Sequence, residues 1–132
     1  MAKSLLAAGA VLGVVLSVLV LRPVRRMEVG GESMRPTLEP GDRLLVLRGP
    51  RARPGDLVAV ADPRDASRTL VKRVASVSGG GVLVVGDNPS GSTDSRAFGT
   101  VPATSVAGRV VYRYHPDHRR GRLGAGEADE AL

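Results

Sequence analysis

The 132-residue chain has no cysteine, no tryptophan, two tyrosines, one phenylalanine and two histidines. Without cysteine there is no disulfide framework, no thiol nucleophile and no zinc knuckle. With aromatics at 2%, nothing offers a platform on which unpaired bases stack, so the net charge of +6 does not make nucleic acid a partner. The arginines also stand apart: Arg22, Arg25 and Arg26 early, Arg48, Arg51 and Arg53 in a Gly/Pro loop, and Arg119, Arg120 and Arg122 late. Both histidines, His115 and His118, fall in that late charged stretch, which offers no scaffold for a metal pair and leaves them solvated. No metal and no other cofactor is expected. Serine chemistry in the body of this chain therefore needs a base other than imidazole.

What is abundant is aliphatic. Ser4 to Leu21 reads SLLAAGAVLGVVLSVLVL, an uncharged run of 18 residues, close to the length that spans the hydrocarbon core of a bilayer. The residues after it, Leu21-Arg22-Pro23-Val24-Arg25-Arg26, contain no small-x-small cleavage signal, so the run reads as an uncleaved single-pass anchor rather than a secretory leader. Residues 1–26 are assigned to this anchor, which makes the lipid bilayer a partner. Lys3 and the amino terminus stand on one side of the run, Arg22, Arg25 and Arg26 on the other. The positive-inside rule leans toward a cytoplasmic body by only two or three charges.

From Met27 the pattern changes to short β-branched runs. Arg43–Leu47, Leu57–Ala61, Thr69–Val77, Val82–Val85 and Val106–Tyr114 read as strands, separated by turn formers such as Pro40-Gly41-Asp42, Pro54-Gly55-Asp56 and Gly79-Gly80-Gly81. No helical period survives over ten residues. Residues 27–114 are thus expected to form a mainly β domain, a small antiparallel barrel or sandwich, and residues 115–132 a disordered tail.

Three segments of that body carry candidate chemistry. Ser33 lies in a loop tightened by Pro36 and by Pro40-Gly41, before the first of these strands. A loop serine ordinarily hydrogen-bonds its own backbone, and it becomes a nucleophile only beside a base. Lys72 shares one face of its strand with Leu70 and Val74. A strand lysine ordinarily snorkels to water, but one held on an apolar face loses hydration of its charged form and moves toward the neutral amine a base must be. Arg73, on the opposite face, stays protonated and cannot serve. Gly86 to Gly99 is a long polar loop in which Asp94 and Arg96 can form a stiffening ion pair.

Taken in order, Gly31-Glu32-Ser33-Met34-Arg35-Pro36-Thr37-Leu38, Gly55-Asp56-Leu57-Val58, Lys72-Arg73-Val74, and Gly86-Asp87-Asn88 through Ser92, Asp94, Ser95, Arg96 and Gly99 resemble the sequence boxes of the type I signal peptidases. The resemblance covers about residues 28 to 112. It implies that Ser33 is the nucleophile and Lys72 the general base of a Ser-Lys dyad, that Ser92 orients the lysine, and that Asp94 and Arg96 are the supporting pair. Some members carry a serine where Gly31 stands, so here the Ser33 backbone N–H takes more of the oxyanion. The near absence of aromatics and the compact body are similar to the small members, including mitochondrial inner-membrane proteases and the maturation proteases of nickel-type superoxide dismutase.

The function so implied is a membrane-anchored serine endopeptidase that removes signal or leader peptides from precursor proteins, at the plasma membrane with its body outside. The alternatives are a cytoplasmic-facing protease that removes a propeptide, such as that of a nickel-type superoxide dismutase, and a catalytically inactive binding module. A self-cleaving repressor protease shares the fold and dyad, but requires a DNA-binding domain where this chain has its apolar run.

Overall fold

Alternation of β-branched residues with polar ones builds strands wherever a run can bury one face or both. A computed structural model describes residues 23–49 and 51–124. These form a mainly β structure of eight strands in one antiparallel sheet, bearing out the expected class. In chain order they are β1 (Val24–Glu28), β2 (Arg43–Leu47), β3 (Leu57–Asp62), β4 (Asp65–Ser78), β5 (Gly81–Val85), β6 (Val101–Pro102), β7 (Val106–His115) and β8 (Gly121–Arg122), with one short helix, α1 (Ser95–Phe98). Their spatial order is β1-β2-β7-β3-β4-β5-β6, with β8 added to β7.

Strand β3 is the centre, and LVAVAD is apolar on both faces because each face meets a core. Leu57 and Ala59 join Met34, Leu38, Leu44, Val46, Val71 and Val110 on one side; Val58 and Val60 join Val74, Val82, Val84 and Val101 on the other. Strand β4 changes partners along its 14 residues: Asp65 to Arg73 pair with β3, and Arg73 to Ser78 with β5 after an irregularity at Val74/Ser76. Up to Lys72, therefore, one edge of β4 has no strand beside it. From this stretch the Lys72 side chain reaches Ser92 of the loop that follows β5.

Three expectations change. Strand β1 crosses the boundary drawn at residue 26, because Val24 to Glu28 pair in register with Leu47 to Arg43 of β2. The sequence VRRME shows no alternation, so this strand owes its existence to its neighbour. Beyond Tyr114, residues 115–124 are packed where a disordered tail is expected: Leu123 is buried in the first core, β8 pairs with Tyr112 and Arg113, and Arg119 reaches the buried Asp42 at 2.9 Å. Strand β4 starts four residues earlier than its apolar pattern, since Asp65 to Arg68 continue the hairpin from β3 as exposed residues. The expected anchor, Ser4 to Leu21, and residues 125–132 lie outside the described residues. Among the described residues no helix is long and apolar enough to cross a membrane.

Candidate active site

Lys72 is the buried lysine of this fold, 2% exposed, standing opposite the fully buried Val58 across the β3–β4 pair. Its Nζ donates to Ser92 Oγ at 3.0 Å. The Ser92 hydroxyl donates in turn to Asp94 Oδ2 at 2.7 Å. A hydroxyl has one proton, so with that proton committed to a carboxylate, Ser92 can only accept from Lys72. The arrangement fixes one N–H of the amine and leaves its other valences to the cleft.

Asp94 is the anchor of this chain of bonds. It is 1% exposed, caps α1 by accepting from the Arg96 backbone, accepts the Gly86 N–H at 2.8 Å, and is gripped by the Arg96 guanidinium. The hydrogen bond from Arg96, aided by those from Gly86 and Ser92, holds its carboxyl well below the usual carboxylate range. Ser95 ties α1 to the sheet by accepting the Val84 N–H at 2.9 Å.

Burial is the leading influence on Lys72 and lowers its pKa from the ordinary 10.5. The Asp94 charge opposes this, while Arg64 and Arg96 reinforce it. Arg96 thus has two effects: it keeps Asp94 ionised as the acceptor for Ser92, and it offsets the pull that the carboxylate exerts on the lysine proton.

Ser33 comes from the loop between β1 and β2, which turns on Met34 and Leu38, side chains sunk in the first core at 1% and 0% exposure. The residues after β5 hold this loop. Asn88 N–H donates to the Ser33 carbonyl at 2.9 Å, Asn88 Nδ2 donates to the Glu32 carbonyl at 3.1 Å, and Thr37 Oγ1 donates to Asp87 Oδ2 at 2.6 Å. Asp87 is also clasped by Arg73 through two bonds of 2.8 Å. Arg73 adjoins Lys72 on β4, so one ion pair connects the serine loop to the lysine strand. Gly86 makes the close approach possible: a Cβ there would stand 2.2 Å from Ser92 Oγ and 2.6 Å from the Ser33 carbonyl oxygen.

Ser33 and Lys72 line the same cleft of about 360 Å³, together with Gly31, Glu32, Arg64, Arg68 and Thr93 among others. All six site residues read from the sequence come together here: Gly31, Ser33 and Lys72 on the cleft wall, and Ser92, Asp94 and Arg96 in the network behind the lysine. At Gly31 there is open space where a Cβ would stand. Neither histidine lines the cleft. Sequence reasoning assigned no role to Thr37, Arg73, Asp87 or Asn88. The one available signal was an arginine on the face opposite Lys72 together with an aspartate just past the next strand.

The network makes one prediction for stability. Asp94 has a lower pKa folded than unfolded, so its contribution is fully present above about pH 4 and is lost as pH falls below that toward the folded value. Asp94→Asn is expected to cost about 1–3 kcal/mol at neutral pH and to flatten the acid limb of stability, as followed by urea unfolding across that range.

A family model for signal peptidase, peptidase S26, matches residues 1–82 and 75–115. The chain is 33% identical to the mitochondrial ATP-independent inner membrane protease subunit 1b of Arabidopsis thaliana, over 71% of this chain and 72% of that protein. It is 28% identical to the human mitochondrial inner membrane protease subunit 1, over 65% and 66%. Against the probable signal peptidase I-1 of Synechocystis the identity is 26%, over 74% of each.

Proposed function

Because the chain belongs to the signal peptidase family, peptidase S26, we propose that it is a membrane-anchored serine endopeptidase that cleaves leader segments from precursor proteins with Ser33 as nucleophile and Lys72 as base. The observation that carries this reading is the buried Lys72, held by Ser92 and Asp94, facing a cleft that Ser33 also lines. Neutral Lys72 takes the Ser33 proton as Oγ attacks the scissile carbonyl. The Ser33 backbone N–H donates to the oxyanion, and the Lys72 ammonium then protonates the leaving amine. Water, activated by the same amine, releases the acyl group from Ser33.

The cleft suits an extended peptide. On one side β1 pairs only with β2; on the other, β4 before Arg73 pairs only with β3. Two free strand edges offer backbone donors and acceptors to a segment laid between them. The Ser4–Leu21 run supplies the anchor in this reading, and the β body faces the outside of the plasma membrane, where leader segments emerge. The arginines after the apolar run favour the second reading, a cytoplasmic propeptide protease.

The test is cleavage of a leader-bearing precursor by the full chain in detergent or vesicles, with Ser33→Ala as control. Cleavage by the parent and none by Ser33→Ala is expected, with kcat/KM rising with pH and a midpoint below the ordinary lysine value of 10.5. Equal cleavage by Ser33→Ala, or a rate independent of pH, contradicts the dyad. In intact cells expressing the full chain, a cysteine at Ala128 reacts with an impermeant maleimide if the body is outside, and only after lysis if the second reading holds.

A further inference from the structure

Thr37, four residues after Ser33, is held through two of its groups. Its hydroxyl donates to Asp87, which Arg73 ties to the lysine strand. Its carbonyl accepts from Arg113 Nη1 at 2.9 Å and from Arg119 Nη2 at 3.5 Å. The same two guanidiniums meet on Asp42, which is 2% exposed, at 3.3 and 2.9 Å. Asp42 in turn closes the serine loop, because its Oδ2 accepts the Glu39 N–H at 2.9 Å and its carbonyl accepts the Val29 N–H at 2.8 Å. Around Ser33 the backbone is itself bonded in turns: Arg35 N–H donates to the Glu32 carbonyl at 3.2 Å and Leu38 N–H to the Met34 carbonyl at 2.9 Å. A shift at Thr37 is therefore passed to Ser33.

Arg113 belongs to β7, whereas Arg119 belongs to residues 116–124, a strap that leaves β7 after His115 and turns back beside it. One 3₁₀ turn, Asp117–Arg119, sets the Arg119 carbonyl where it accepts from Arg113 Nε at 2.5 Å, so the strap also aims the other arginine. Past the turn, β8 pairs with Tyr112 and Arg113, and the Leu123 N–H donates to the Val111 carbonyl at 3.0 Å. The Leu123 side chain enters the core that contains Met34 and Leu38. The strap is thus tied to the serine loop by charge at Thr37 and Asp42, and it shares a core with the two side chains on which that loop turns. The family match ends at residue 115, so residues beyond the shared sequence boxes build this attachment.

We propose that the strap positions the nucleophile, with Arg119 as its positioning residue. Arg119 lies outside the cleft lining and acts through Thr37 and Asp42, holding the carbonyl side of Thr37 while Asp87 holds the hydroxyl, so that Ser33 keeps its place on the cleft wall with Lys72. The inference rests on the reading of Ser33 as nucleophile. Its consequence is that turnover depends on a pair 77 positions apart, Arg119 and Asp42. The Lys72 amine is held by Ser92, so Arg119 governs where the serine stands and not the pH at which the lysine becomes neutral.

The test is steady-state cleavage of a leader-bearing precursor by the full chain in detergent, with Ser33→Ala as the blank and circular dichroism at the assay temperature restricting the comparison to folded variants. Arg119→Gln is expected to lower kcat by roughly tenfold, as a displacement of under about 1 Å can, with KM and the midpoint of the pH–rate profile unmoved. Arg119→Lys keeps a cation on Asp42 without the guanidinium fork, and should fold like the parent with a severalfold loss of kcat. Arg120→Gln removes the same charge from a neighbour bonded to the Tyr114 carbonyl, and should match the parent. Thr37→Val releases the other side of the same residue. Combined with Arg119→Gln it should lose little more than the larger single variant, whereas losses from independent parts multiply. A folded Arg119→Gln or Arg119→Lys with the parent's kcat, a loss confined to KM, a shifted pH midpoint, or losses that multiply overturns the strap's role. Cleavage that survives Ser33→Ala defeats the dyad and this inference together, whereas Ser33-dependent cleavage indifferent to Arg119 defeats this inference alone.

Discussion

Lys72→Met loses cleavage by roughly 10³-fold or more and yet unfolds at the same temperature as the parent or a higher one. The opposite signs follow from where the lysine sits. Its amine is desolvated beside Val58 and Leu70 and is held by one hydrogen bond to Ser92. Removing an ammonium that burial disfavours costs the fold little, and methionine fills a similar volume. Removing the amine that lines the cleft among the described residues costs the reaction its base. Lys72→Arg should be inactive as well, since a guanidinium does not deprotonate. Thermal unfolding by circular dichroism, run beside a peptide-cleavage assay, measures both effects. Substantial turnover by a folded Lys72→Met protein would falsify the role given to this residue.

A single methyl group at Gly86 has a comparable effect from outside the dyad. Alanine there places Cβ 2.2 Å from Ser92 Oγ and 2.6 Å from the Ser33 carbonyl oxygen, far inside contact distance. One of those atoms belongs to the support of the lysine, the other to the backbone that carries the serine, so relief of the clash moves the two catalytic groups apart. Gly86→Ala is expected to lower kcat/KM by roughly 10²-fold, an amount displacements of about 1 Å can produce, and to cost about 1–3 kcal/mol of stability. Gly31→Ala, where a Cβ meets nothing within 4 Å, provides the contrast and should fold as stably as the parent. Equal activity in Gly86→Ala and the parent would mean that the close packing of the serine loop on the Ser92 loop is not needed.

The difference between these glycines could not be read from the sequence, because it depends on which loops meet. Short β-branched runs between turn formers made β2, β3, β5 and the cores of β4 and β7 legible: β2 and β5 bury alternating side chains, and β3 buries both faces. Charged VRRME and the pair Gly121–Arg122 gave no such sign, and both are strands only because β2 and β7 offer them partners. The stretch from His115 to Gly124 looked solvated because its attachment is not a pattern at all: one leucine in the core and an ion pair between Arg119 and Asp42, 77 positions apart. At the site, the lack of histidine in the body and the ordered boxes pointed to Ser33 and Lys72. The clasp of Thr37, Asp87 and Arg73 needed the fold, because each is an ordinary polar residue until the serine loop and β4 come together.

The central claim is that a neutral amine at position 72 activates Ser33, and chemical replacement of that amine tests it most directly. Lys72→Cys puts one thiol into a chain with none. Alkylation with 2-bromoethylamine rebuilds a lysine-length side chain with sulfur in place of a methylene and an amine of lower basicity. The account predicts that Lys72→Cys is inactive, that the alkylated protein regains cleavage, and that the rising limb of its pH–rate profile moves to lower pH than that of the parent. Cleavage by Lys72→Cys before alkylation, or a folded and fully alkylated protein that remains inactive, would contradict it.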